Sequence, residues 1–120
     1  MASIKIYGIP NCDTIKKTIK WFEKQGFEYA FHDYKKEGIK KGKLQEWCRK
    51  AGWETVMNKR STTWRETDPL VQAGITNANA AIGLMMEAHS LIKRPVIETG
   101  KGIIVGFDEK NILSQLKQIT

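Results

Sequence analysis

The residue of this sequence best suited to chemistry is Cys12. It lies in the run Ile4-Lys5-Ile6-Tyr7-Gly8-Ile9-Pro10-Asn11-Cys12-Asp13-Thr14-Ile15-Lys16-Lys17. The run reads as a short strand, a tight loop broken by Gly8 and Pro10, and a helix that begins at Asn11 or Cys12. Asn11 is a good N-cap, which makes Cys12 the first helical residue. A cysteine there faces backbone N–H groups outside the helical ladder and the positive end of the helix dipole. Both favour the thiolate, which is the nucleophilic form. Lys16 and Lys17, one turn on, add positive charge, while Asp13 beside the sulfur opposes it. The alternative is a small buried thiol, a common fate for cysteine; the position straight after a strand and a Gly-x-Pro loop favours the reactive reading.

Other chemistry-bearing residues carry weaker signals. Cys48 falls with Leu44, Trp47 and Ala51 at i, i+3, i+4 and i+7, so it reads as an inert core thiol on a helix stripe. His32 lies on the polar side of an aromatic strand and reads as structural. The run Asn58-Lys59-Arg60-Ser61-Thr62-Thr63-Trp64-Arg65 holds two arginines with hydroxyl neighbours in a loop, which could bind an anion; solvation is the commoner state of an arginine. No Cys/His spacing suggests zinc, and there is no phosphate-binding glycine loop or Ser–His–Asp arrangement.

The elements that must position Cys12 follow from periodicity. Ile15, Ile19 and Phe22 form the stripe of a helix packed on a sheet, ending at Gly26 as a left-handed cap. Phe27 to Tyr34 reads as a second strand with Phe27, Tyr29 and Phe31 on one side, parallel to the first through a right-handed crossover. Gly38 and Gly42 punctuate a loop before the Leu44 helix, which stops at Gly52. Trp53 to Thr67 is irregular. Asp68 with Pro69 starts a short helix ending at Gly74, and Thr76 or Asn77 starts another carrying Ile82, Met85, Met86 and His89. Val96 to Glu98 and Ile103 to Phe107 form a hairpin about Thr99-Gly100-Lys101-Gly102, and Asp108 caps a last helix with Ile112, Leu113 and Leu116 inward. Pro95, just before a strand, is a candidate cis proline.

Composition bounds the answer. A chain of 120 residues, 41% hydrophobic and 28% charged, suits one globular domain. There is no run of 18 apolar residues, and Met1-Ala2-Ser3 leads directly into a strand, so neither a membrane span nor a secretory signal is expected. Two cysteines are too few for a disulfide scaffold, and the expected compartment is a reducing cytoplasm. The net charge of +7 is dominated by lysine, much of it in residues 35–43. Without an aromatic or arginine-rich reading face this is a solvated surface, and no specific nucleic-acid partner is expected.

The order β-α-β, helices, X-Pro-β-β-α resembles the thioredoxin fold, an α/β fold in which a cis proline faces the cysteine at the start of the first helix. It implies one domain over 1–120, a mixed four-stranded sheet and a helical insertion at about 40–91. Tyr7-Gly8-Ile9-Pro10-Asn11-Cys12-Asp13-Thr14 with Lys16-Lys17, then Phe31-His32-Asp33-Tyr34, Asn58-Lys59-Arg60-Ser61-Thr62-Thr63 and Leu91-Ile92-Lys93-Arg94-Pro95, are similar to the arsenate reductase family. They look most like its small bacterial branch of glutathione-dependent thiol reductases. The resemblance implies a catalytic Cys12 with Arg60 and Arg94 as anion-binding partners. It places Asn11, Asp13, Thr14, Lys16 and Pro95 around the substrate.

Two departures narrow the expectation. Arsenate reductases use a third arginine near the end of the final strand, where this chain reads Val105-Gly106-Phe107-Asp108; Lys101 or Lys110 would have to stand in. Three guanidinium groups suit a multiply charged oxyanion better than two. Position 15 is isoleucine, so no C-x-x-C pair exists, and a mixed disulfide on Cys12 needs an external thiol such as glutathione or a glutaredoxin. The expected function is therefore a monomeric glutathione-dependent thiol reductase without a tightly bound cofactor or metal. Arsenate reduction is the first alternative. An RNA-polymerase-binding regulator, a kind that typically carries the C-x-x-C switch, is the second.

Overall fold

The computed structural model describes residues 4–100 and 102–117. In chain order the elements are β1 (Lys5–Gly8), α1 (Asp13–Gln25), β2 (Ala30–Asp33), α2 (Tyr34–Glu37), α3 (Lys41–Ala51) and α4 (Trp53–Val56). Then come α5 (Thr62–Arg65), α6 (Pro69–Ala73), α7 (Ala78–Glu87), a 3-10 turn (His89–Leu91), β3 (Val96–Thr99), β4 (Gly102–Val105) and α8 (Glu109–Lys117). They form two compact units, one running through Gly38 and resuming at Arg94, the other Ile39–Lys93.

The first unit is a four-stranded mixed sheet, order β2-β1-β3-β4, as the thioredoxin-like pattern implies. β1 runs parallel to β2 and antiparallel to β3, and β3 runs antiparallel to β4. The registers Ile6↔Phe31, Ile6↔Ile97 and Ile97↔Ile104 lay one apolar row across all four strands. Because strand side chains alternate between faces, this row meets the helices on one side. Trp21 and Phe22 of α1 and Ile112 and Leu116 of α8 join it in one buried cluster. Phe27, Tyr29 and Phe31 pack against that cluster. On the other face Tyr7 is paired with both His32 and Val96; its ring lies 4.8 Å from the His32 ring, and its hydroxyl donates to Glu98 Oε1 at 2.7 Å.

Helix α1 ends as its sequence implies: Gly26 is left-handed (φ 77°), and its N–H closes onto the Phe22 and Glu23 carbonyls. The buried stripe differs in detail. Ile15, Thr18, Trp21 and Phe22 are buried while Ile19 is half-buried; Thr18 is accommodated because its hydroxyl donates to the Thr14 carbonyl at 2.7 Å. The second strand is shorter than the Phe27–Tyr34 span read from alternation. Asp33 accepts from the Lys35 and Lys36 N–H groups and starts the single turn α2, which ends the strand. His32 Nε2–H donates to the Gly38 carbonyl at 2.8 Å.

The second unit is helical. α3 packs on α4 and α7, burying Leu44, Trp47, Cys48, Val56, Ile82 and Met85. Gly42 lies inside the first turn of α3, not in a loop; near a helix end the cost of glycine is small against the buried stripe that follows. The irregular stretch after Gly52 contains two single-turn helices, the second capped by Ser61 through a 3.1 Å bond from Trp64 N. Asp68 and Asn77 cap α6 and α7 as expected, through Leu70 N and Ala80 N. No helix among the described residues is long and apolar enough to cross a membrane.

Candidate active site

β1 stops at Gly8 because helix α1 comes close: a side-chain carbon there would run into Ile15, which is fully buried in the first turn. The chain then turns through exposed Pro10 and Asn11 to Cys12. Cys12 is the N-cap itself, with extended backbone (φ −129°, ψ 129°), and its carbonyl accepts the first helical bond from Lys16 N at 2.9 Å. This corrects the assignment of Asn11 as cap and Cys12 as first helical residue. The helical ladder begins at the Cys12 carbonyl, and the backbone at Cys12 is still extended, so the helix starts one residue on. The chemical consequence survives, because the N–H groups of Asp13, Thr14 and Ile15 precede the helical ladder and flank the cysteine. Cys12 is half-buried and free. Asp13, Thr14 and Lys16 are exposed around the same turn. The Lys17 ammonium sits over the Phe107 ring at 5.6 Å.

The other side of this site comes from β3. Val96 pairs with Tyr7, one residue before Gly8, so antiparallel register brings Pro95 and Arg94 to the end of β1 from which the cysteine loop departs. The Arg94–Pro95 peptide is cis, and the Pro95 carbonyl accepts from Gly106 N at 2.8 Å. Tyr34 completes the cluster. Its side chain is fully buried, and burial holds its phenol well above the ordinary range; the Arg94 charge works the other way, and Cys12 and Asp33 push in the same direction as burial. The Tyr34 phenol thus lies within electrostatic range of both the Cys12 sulfur and the Arg94 guanidinium. Sequence reasoning gave Tyr34 no role. The usable signal was the strand-ending Asp33 cap, which turns the next side chain inward.

Where a third arginine would stand, Phe107 is half-buried and meets Trp21 edge-on at 6.4 Å. Lys110 opens α8, its N–H bonded to Asp108 Oδ1 at 3.1 Å; Lys101 lies outside the described residues. Cys48 is buried mid-helix, and desolvation pushes its thiol up. Among the described residues no cluster of three His, Cys, Asp or Glu side chains could hold a metal.

Arg60 belongs to the helical unit. It is exposed on a loop fixed by Asn58, whose Oδ1 accepts Arg60 N at 3.0 Å and whose carbonyl accepts the Ser61 hydroxyl at 2.9 Å. It lines a cleft of about 430 Å³ with Glu54, Lys59 and Lys93.

Comparison with known proteins places these motifs in context. The ArsC family description matches residues 7–115. An uncharacterized protein of Haemophilus influenzae is 39% identical over 107 residues, covering 89% of this chain and 93% of its own. Among solved structures, the YffB (PA3664) protein superposes with a TM-score of 0.88 at 40% identity, covering 92% of this chain and 96% of its own. An arsenate reductase (ArsC) related protein from Brucella melitensis gives 0.76 at 38% identity, covering 98% and 96%.

Proposed function

The chain belongs to the ArsC, or arsenate reductase, family, and on that premise we propose that it is a glutathione-dependent thiol reductase with Cys12 as its single nucleophile. The observation that carries this reading is the placement of Cys12: a half-exposed free thiol at the cap of α1, on the loop leaving the end of β1 to which strand register brings Arg94 and Pro95, with isoleucine at position 15. That arrangement supplies a nucleophile and a cation but no local second thiol.

The chemistry balances as two exchanges. The Cys12 thiolate attacks the glutathionyl sulfur of a mixed disulfide; the S–S bond breaks, the substrate leaves as a thiolate and takes a proton, and Cys12 carries glutathione as a new disulfide. A glutathione thiolate then attacks that bond, freeing Cys12 and leaving as glutathione disulfide. In sum one mixed disulfide and one glutathione thiol give one substrate thiol and one glutathione disulfide, so one S–S bond is broken for each one made. A glutaredoxin could deliver the second thiol, and a reducing cytoplasm would sustain either donor.

The amides at the start of α1 offer hydrogen bonds to charge at the sulfur. Arg94, brought by strand register to the same end of β1, gives a permanent positive charge there, and Tyr34, held protonated by burial, is a hydroxyl donor. The backbone before Pro95 would position the mixed disulfide. Arg60, with Asn11 and Lys16, is assigned to substrate binding from the family pattern. Arsenate reduction is the second reading, supported by the Arg94 charge at the end of β1 from which the Cys12 loop departs and opposed by Phe107 at the third-arginine region.

The deciding experiment is turnover of a small glutathione mixed disulfide with glutathione as donor, followed by formation of glutathione disulfide, with arsenate as a parallel substrate. Wild type and Cys48→Ala should turn over the disulfide, and Cys12→Ser should not. Activity retained by Cys12→Ser would overturn the reading; arsenate reduction without disulfide turnover would replace it with the second.

A further inference from the structure

The cleft of the helical unit has a frame more rigid than a surface loop requires. Met57 and Ile92, both buried, form an antiparallel bridge. Asn58 N donates to the Leu91 carbonyl at 2.7 Å, and Lys93 N to the Val56 carbonyl at 2.8 Å. These links hold the Val56–Asn58 segment and the Leu91–Lys93 segment side by side. Lys93 therefore stands on one edge of a fixed pair, and Arg60 stands on the locked Asn58 loop at the other. Lys59 is held as well: its ammonium lies 5.2 Å from the Trp53 ring and 5.8 Å from the Trp64 ring.

The charges in this frame are mixed. Arg60, Lys59 and Lys93 supply three cations, and Glu54, on the turn α4, supplies one carboxylate. A polyphosphate or simple oxyanion would meet the cations and be repelled by Glu54. A zwitterionic amino-acid group meets all of them favourably, its carboxylate on the cations and its ammonium on Glu54. The volume, about 430 Å³, lies in the range of small-molecule sites, roughly 300–1,000 Å³.

We infer that this cleft binds the amino-acid end of glutathione, the γ-glutamyl group, with its α-carboxylate on Arg60 and Lys93 and its α-ammonium on Glu54. The inference deepens the proposed function and rests on it for the choice of glutathione. Lys93 and Glu54 become the residues that discriminate among ligands of this cleft; Lys59, its ammonium over two indole rings, adds positive charge.

The test uses the full-length Cys12→Ser protein, which removes thiol exchange from the measurement, and S-methylglutathione, which has no free thiol. Amide NMR titration should show shifts at residues 54–60 and 93 with S-methylglutathione and none there with S-methyl-cysteinylglycine, which lacks the γ-glutamyl group. Lys93→Gln and Glu54→Gln should each weaken S-methylglutathione about tenfold, the loss of one charge-assisted contact. Glu54→Gln should at the same time tighten inorganic phosphate, a change of sign that a structural role for Glu54 would not produce. Equal shifts from the dipeptide or from phosphate, or unchanged affinity in both variants, would overturn the inference. Docking of S-methylglutathione in the cleft of a protein whose wild type shows no glutathione turnover would overturn the proposed function and leave this site standing. Turnover with a silent cleft would do the reverse.

Discussion

Cys12 and Cys48 carry the same side chain on two helices of one chain, and their surroundings give them different chemistry. Cys48 lies in the middle of α3, where every neighbouring amide is committed to the helical ladder and its own side of the helix is buried with Leu44 and Trp47. Desolvation disfavours its thiolate. Cys12 stands at the cap of α1, where the ladder has not begun, and the residue is only half-buried. Position along a helix, more than residue type, separates a packing thiol from an accessible one.

The largest effect that could break this comparison is on turnover. Cys12→Ser should cost at least about three orders of magnitude in reduction of a glutathione mixed disulfide, as removal of a nucleophile does elsewhere, while Cys48→Ala stays near wild type. Equal losses would put both thiols in the mechanism.

Selective alkylation comes next. Under native conditions iodoacetamide should modify Cys12 and spare Cys48 by roughly a hundredfold, the ratio given by an opening free energy of about 3 kcal/mol. Peptide mass mapping reads this directly, and the two should converge in denaturant.

A smaller change probes what places the first thiol. Gly8→Ala forces a methyl against Ile15 and should destabilise by about 1–3 kcal/mol in urea melts. It should also lower turnover, since the displaced turn carries Cys12, whereas Gly42→Ala, with open space around it, should leave turnover unchanged.

The finest test is the pH dependence of stability. The raised thiol of Cys48 keeps its proton in the folded state to higher pH than in the unfolded chain. Its contribution is therefore complete below the unfolded thiol value, about 8.5, and is lost as pH rises through the folded value. Urea midpoints should fall above that pH in wild type and fall less in Cys48→Ala.

Much of this was readable from the residues because the signals were local. Ile4, Ile6 and Gly8 end a strand, Gly26 caps a helix, and Asp68, Asn77 and Asp108 begin three others through side-chain bonds that sequence spacing implies. What escaped depended on contacts between distant residues. The close approach of Ile15 to Gly8 is one such contact, and the cap falls at Cys12, not Asn11. Strand pairing with β3 aligned Arg94 and Pro95 with the end of β1, and the role of Tyr34 depended on that assembly. The cleft was hidden for the same reason: Glu54 and Lys93 are 39 positions apart and line one cleft beside the Met57–Ile92 bridge.

Isoleucine at position 15 has a consequence for oxidative damage. A paired thiol nearby would capture a sulfenic acid on Cys12 as an internal disulfide and protect it from further oxidation. Here the first turn offers a hydrocarbon packed under Gly8, and Cys48 is buried on its own helix. Rescue of an oxidised Cys12 then depends on a small thiol arriving from solution before peroxide does, and loss of that race ends in sulfinic acid, which ordinary thiols do not reverse. The same side chain that fits the helix against the strand ties the lifetime of the protein under peroxide to the thiol concentration around it.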